Sequence, residues 1–218
     1  MNRFNYQIGK QLKHKVKASD RLSFFRYPVN ELQEYLSRPF YNDILQSLIT
    51  QEKGNPSDRV VSDVSEGVVN FTNQAALANY ITVNIQLQHG WVIGSDIEPH
   101  IHWFQNQNQT PNLLLQYRWQ LNGAEKVNDW VNLKVDKLIF PYPSTGTPTI
   151  NQIATFGKVT PPDEVNVSEI IQFRVIRDTA NASTLFGGAD TYTGNVSLVN
   201  FDLHIKVDAF GSRKVYEK

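Results

Sequence analysis

Cysteine is absent from all 218 residues, which removes three chemistries together: a disulfide framework, a thiolate metal centre and a cysteine nucleophile. Charge is also scarce. Asp, Glu, Lys and Arg make up 19% of the chain, below the usual quarter, so the polar surface must lean on the amides of Asn and Gln. No apolar run approaches the ~20 residues that a membrane-crossing helix needs, so no membrane partner is expected. Lys10, Lys13, His14, Lys15 and Lys17 break up the N-terminal stretch where a secretory leader would have its apolar centre, and synthesis in the cytoplasm is expected. Gly-x-Ser-x-Gly does not occur, and Gly187-Gly188 lacks the Lys-Ser/Thr continuation of a phosphate loop. With no nucleophile or phosphate signature, the sequence reads as non-enzymatic, and no cofactor is expected.

The formal net charge of zero conceals an asymmetry. Residues 1–26 hold seven bases (Arg3, Lys10, Lys13, Lys15, Lys17, Arg21 and Arg26) against the single acid Asp20, a net +6, which leaves −6 on the remainder. A basic arm ahead of a mildly acidic body suits an anionic partner, either an acidic protein surface or nucleic acid. Lys10, Lys13, Lys15, Lys17 and Arg21 are the arm's anchoring candidates. Two short helices are expected next. One is capped by Asn30 and carries Leu32, Tyr35 and Leu36; the other runs through Tyr41, Ile44, Leu45, Leu48 and Ile49 at helical spacing. Gly54, Asn55 and Pro56 mark a boundary, giving an arm-and-helix segment at 1–56 and a body at 57–218.

The body is strand after strand. Polar and apolar residues alternate over 79–88, 97–104, 113–121, 130–135, 151–156, 169–177 and 195–208, with Asn122-Gly123 as a turn and Pro-rich loops at 141–148 and 161–162. About eight strands without intervening helices predict an antiparallel sandwich, and the long loops favour a jelly roll. Phe173 and Val175 are expected inward, opposed by Gln172, Arg174 and Arg177. In the last strand Ser197, Val199, Phe201, Leu203, Ile205 and Val207 are expected on one face, with Asn200, Asp202, His204, Lys206 and Asp208 on the other.

That polar face meets a second histidine-bearing strand, Glu98-Pro99-His100-Ile101-His102-Trp103. His-x-His places two imidazoles on one side of a strand, about 7 Å apart at a rise of roughly 3.3 Å per residue. With Glu98, Asp202 and His204 the set has the composition of a 2-His-1-carboxylate metal site; any metal would fall to His100, His102 and His204. Two features argue against metal. A cupin-type site faces its barrel interior, whereas here Ile101 and Trp103 take the core side. Arg118, Arg174 and Lys206 have the same polar-face parity and would repel a cation. His100, His102, Arg118, Arg174, Asp202, His204 and Lys206 are therefore expected to form an assembly face of cross-strand polar pairs, without metal. Asp178, Gly187, Gly188 and Asp190 read as a Gly/Asp turn rather than a calcium loop. Among the tryptophans, Trp103 and Trp119 have core parity, leaving Trp91 and Trp130 as surface candidates for stacking on a sugar.

Several ordered motifs carry a resemblance. His89-Gly90-Trp91-Val92-Ile93-Gly94-Ser95-Asp96-Ile97-Glu98-Pro99-His100-Ile101-His102-Trp103, Leu115-Gln116-Tyr117-Arg118-Trp119, Ile153-Ala154-Thr155-Phe156-Gly157, Phe173-Arg174-Val175-Ile176-Arg177-Asp178, Asp190-Thr191-Tyr192-Thr193-Gly194 and Asp208-Ala209-Phe210-Gly211-Ser212-Arg213 resemble a family of uncharacterised tailed-bacteriophage virion structural proteins, over roughly residues 64–213. The resemblance implies a jelly-roll body and a location in the virion, with capsid, portal or tail proteins as partners, and it supplies no catalytic residues. Jelly rolls in such roles often trimerise, so a homo-oligomer, specifically a homotrimer, is the expectation. The alternatives are a receptor- or glycan-binding module on the virion and a cupin-like metalloprotein.

Overall fold

The computed structural model describes residues 40–47, 62–63, 68–73, 80–125 and 127–208. The basic arm and the helix expected after Asn30 lie outside the described residues. Every regular element among those described is a strand: β1 (Phe40–Ser47), β2 (Ser62–Asp63), β3 (Val68–Phe71), β4 (Tyr80–Gln86), β5 (Ile97–Gln105), β6 (Leu113–Gln120), β7 (Val131–Lys134), β8 (Lys137–Leu138), β9 (Ile150–Thr155), β10 (Ile170–Arg177) and β11 (Val196–Val207).

The strands form two antiparallel sheets. The larger runs β2-β3-β11-β5-β9-β8, with β1 also paired to β11; the smaller runs β4-β10-β6-β7. Together they make an antiparallel β-sandwich of jelly-roll type. Alternation puts Ile81, Val83, Ile85, Leu113, Leu115, Ile171, Phe173 and Val175 on the inner face of the smaller sheet, and Ile97, Ile101, Trp103, Phe201, Leu203 and Ile205 on that of the larger. The two sets meet in one core; the rings of Phe173 and Phe201 touch across it with centroids 4.9 Å apart.

Four sequence expectations change. Residues 40–47 are not helical: β1 lies along β11 from Phe40↔Val207 to Ser47↔Asn200. Residue proximity groups Pro39–Lys218 as one unit and Met1–Arg38 as another. Local spacing of Ile44, Leu45 and Leu48 fits a helix, but β11 offers a long edge whose backbone groups need partners, and that demand overrides local periodicity.

The alternation in β11 is broken as well. Between β5 and β11 the register passes from Trp103↔Leu198 to His102↔Asn200, leaving Val199 as a bulge. One inserted residue inverts parity, so Val196 and Leu198 join Phe201 and Leu203 in the core, and Ser197 and Val199 do not.

Arg177 does not oppose Phe173 and Val175. It shares their parity and is fully buried. Trp91, expected on the surface, is fully buried in the core, pinned where its strand-like bridge to Val207 closes the end of β11.

Candidate functional site: a histidine–aspartate cluster on the larger sheet

Cross-strand pairing builds the site. On β5 and β11, Asp202 lies directly opposite His100, Asn200 opposite His102 and His204 opposite Glu98. On the far side of β5, His100 faces Thr155 of β9 and His102 faces Ile153. On the far side of β11, His204 faces Asp43 of β1. All these side chains emerge on the sheet's outer face because Ile101, Trp103, Phe201 and Leu203 hold the inner one. Pro99 precedes His100 at the point where β9 ends. It has no N–H to give, its carbonyl accepts from Phe156 N at 3.3 Å, and Gly157 turns the chain away in the left-handed region at φ 77°.

Both imidazoles converge on one carboxylate oxygen. Asp202 Oδ2 is 3.3 Å from His100 Nε2 and 3.0 Å from His102 Nε2. His100 is only 5% exposed although it faces outward. Its ring packs against His102 and His204, with centroids 5.2 and 4.5 Å away. His204 Nε2 turns to Asp43 Oδ1 at 2.9 Å instead of to Asp202.

The cluster floors a cavity of about 830 Å³, walled by Asp43, Glu98, Lys137, Ile139, Thr155 and Lys158. Lys158 Nζ stands 3.5 Å from Glu98 and 3.6 Å from Asp96, so its charge is met at the rim. The Ile139 wall is fixed by Ile139 N donating to Ile153 O at 3.0 Å. Gln152 reinforces it, accepting from Phe140 N at 2.9 Å and donating to Phe140 O at 2.7 Å.

The structure divides the expected assembly face. His100, His102, Asp202 and His204 come together, and Lys206 follows His204 on the same side of β11. Arg118 and Arg174 lie on β6 and β10 of the other sheet, in register with Gln172 and Gln116. There Trp130 is clasped between the two guanidiniums, at 4.3 Å from Arg118 and 4.0 Å from Arg174, and Arg174 also covers Tyr80 at 4.2 Å. Arg118 Nε donates to Gln172 Oε1 at 2.7 Å, and Gln172 Nε2 to Asn84 Oδ1 at 2.8 Å. Burial, and then the neighbouring charge of Arg174, lower the pKa of Arg118. Equal parity had grouped residues from different sheets, so the repulsion expected between these arginines and a cation near the histidines is not built into the fold. The anchoring lysines Lys10, Lys13, Lys15 and Lys17, with Arg21, lie outside the described residues.

Asp43 went unrecognised because β1 read as a helix; the strand-forming Phe40 and Tyr41 after Pro39 were the available signal. In the 178–194 loop, both carboxylates are committed to protein groups. Asp178 accepts from Ala182 N at 2.8 Å, Ser183 N at 2.9 Å and Ser183 Oγ at 2.6 Å, and Asp190 pairs with Arg177.

No family model matches the chain, and no curated protein is similar to it. Among solved structures the chain is similar to CBM35 from Cellvibrio japonicus Abf62, at 8% identity and a TM-score of 0.38, over 78% of this chain and 95% of that one.

Proposed function

We propose that this chain is a non-enzymatic structural protein of a tailed-bacteriophage virion, a head-decoration, head-fibre, vertex or tail-attachment component. It assembles through its β-sandwich, as a homotrimer, and anchors to capsid, portal or tail proteins by the basic N-terminal arm, which also suits contact with nucleic acid.

The observation that carries this reading is how the family-like motifs are used. Asp190-Thr191-Tyr192-Thr193-Gly194 wraps the buried Arg177 of a second motif: Arg177 Nη1 donates to Gly194 O at 2.6 Å and to Phe71 O at 3.2 Å, and Nη2 donates to Tyr192 O. Trp91 of a third motif fills the core. Motif residues spent on architecture, with no nucleophile or phosphate loop beside them, suit a scaffold whose work is to hold a shape. The Arg118–Trp130–Arg174 surface of the smaller sheet, with the amides of Gln172 and Asn84 beside it, is the face offered to neighbouring subunits.

Mass measurement by multi-angle light scattering tests the reading. A trimer at micromolar concentration is expected, and a monodisperse monomer would overturn assembly through this domain.

A second reading, a receptor- or glycan-binding module on the virion, is favoured by the cavity of about 830 Å³ on the larger sheet, which combines apolar walls with a few charged and imidazole side chains. The sugar platform expected of Trp91 is withdrawn by its burial, and Trp130 is already stacked between two arginines. Glycan-array binding that Lys137→Ala abolishes while the oligomer stays intact would select this reading.

A further inference from the structure

We propose that His100, His102 and Asp202 form a binding site for a divalent first-row transition-metal ion. The proposal goes beyond the virion reading and does not depend on it. A donor set of two imidazoles and one carboxylate suits zinc or ferrous iron, and the chain has no thiolate to compete.

Geometry is the first support. One potential ligand atom from each of the three residues lies within 4.8 Å of the other two. At bonds of about 2.1 Å, ligands around a tetrahedral ion sit roughly 3.4 Å apart. The imidazole–carboxylate separations of 3.3 and 3.0 Å are already close to that spacing, and the separation between the two imidazole ligand atoms lies within 4.8 Å.

Unspent acceptor capacity is the second. Asp202 Oδ1 is buried and has no hydrogen-bond partner, although Asp202 stands in a polar cluster. Buried polar atoms are normally satisfied, and a carboxylate that shares one oxygen between two histidines while the other stays idle fits a ligand waiting for a cation.

The charge environment agrees. Arg118 and Arg174 belong to the other sheet. Among the described residues the lysines at the cavity are Lys137 and Lys158, and Lys158 is held at the rim by Glu98 and Asp96. Asp43 fixes His204, whose ring lies on His100 and holds it from the side, the kind of outer support that steadies a ligating imidazole. With three protein ligands on the cavity floor, the remaining coordination positions open to the cavity, where water or an oxygen-bearing ligand has access. The site stands on the outer face of a sheet, unlike the interior of a cupin barrel.

The test uses the full chain, stripped with EDTA and dialysed. It is titrated with Zn²⁺ by calorimetry, and with Co²⁺ while the visible d–d bands are recorded. One equivalent of Zn²⁺ per chain is expected, at micromolar affinity or tighter, with Co²⁺ bands of four- or five-coordinate intensity. His102→Ala and Asp202→Asn should each weaken Zn²⁺ at least tenfold and remove the Co²⁺ bands, while His204→Ala changes affinity only a few-fold. His102 is partly exposed, so His102→Gln supplies a folded variant should Asp202→Asn fail to fold. Absence of saturable Zn²⁺ binding by the parent protein would overturn the proposal, and so would binding that survives unchanged in the His102 variants.

Discussion

Arg177 and Asp190 form an ion pair of 2.8 Å with both side chains withdrawn from solvent. Breaking a buried pair costs far more than losing a surface one, because the surviving charge stays in a medium of low polarity. Arg177 also serves the carbonyls of Phe71, Tyr192 and Gly194, whereas Asp190 Oδ1 additionally accepts from Tyr192 N at 2.8 Å. Arg177→Met should therefore cost about 3–5 kcal/mol and Asp190→Asn distinctly less. Urea denaturation of the two variants gives the comparison; an equal or smaller loss for Arg177→Met would contradict the account.

Tyr192 gives the fold a sensitivity to alkali. Its hydroxyl donates to Asn106 Oδ1 at 2.7 Å and accepts from Asn106 N at 3.0 Å. Burial pushes its phenol above the ordinary value of 10.0, outweighing the opposing effects of the Asn106 hydrogen bond and the Arg177 charge. A raised pKa means the folded state holds the proton longer than the unfolded chain does. This contribution to stability is complete below the unfolded phenol's pKa of about 10, and it is lost as pH rises through the folded value. Chemical denaturation between pH 8 and 11 should show stability falling above pH 10. Tyr192→Phe should lower stability near neutrality by about 1–3 kcal/mol, since it strips partners from Asn106, and should flatten the alkaline slope. A slope unchanged in the variant would place the alkaline loss elsewhere.

Trp130 separates two like charges. With its ring removed, Arg118 and Arg174 lose a shared cation–π partner and face one another more directly. Each contact is worth about 0.5–1 kcal/mol at a partly exposed site, so Trp130→Ala should destabilise by about 1–2 kcal/mol. Salt screens the repulsion that remains, so part of the loss should return between 0.05 and 1 M NaCl. Thermal melts of variant and parent across that range provide the measurement. A variant as stable as the parent would show that the stack carries no energy, and a destabilised variant indifferent to salt would show that the repulsion between the two arginines carries none.

Much of the body is legible in the sequence. The alternation of Ile81, Val83 and Ile85, of Leu113 and Leu115, and of Ile171, Phe173 and Val175 predicts strands whose inward faces the structure confirms. His-x-His on one side of β5, away from Ile101 and Trp103, is equally local, because the two-residue period of a strand is written residue by residue.

Other features have no local signature. Helical spacing in 40–49 concealed β1, and with it Asp43, since the competing term was hydrogen bonding to a distant strand. The bulge at Val199 inverted the assignments of Ser197 and Val199, because an inserted residue shows only against its partner strand. Alternation does place Arg177 with Phe173 and Val175, so the outward expectation ran against its own parity; what alternation could not show is its four acceptors, which come from segments 13 or more residues away.

By itself, then, the sequence determined the all-β class, the strands of the sandwich and the side of β5 on which His100 and His102 stand, for these depend on side-chain alternation along a single strand. Only the tertiary structure decided that Asp202 closes on those histidines while Arg118 and Arg174 stand on the other sheet. Parity assigns a residue to one of two faces but carries no information on which sheet its strand will join. That choice is made by long-range pairing and by the burial of two apolar faces against each other.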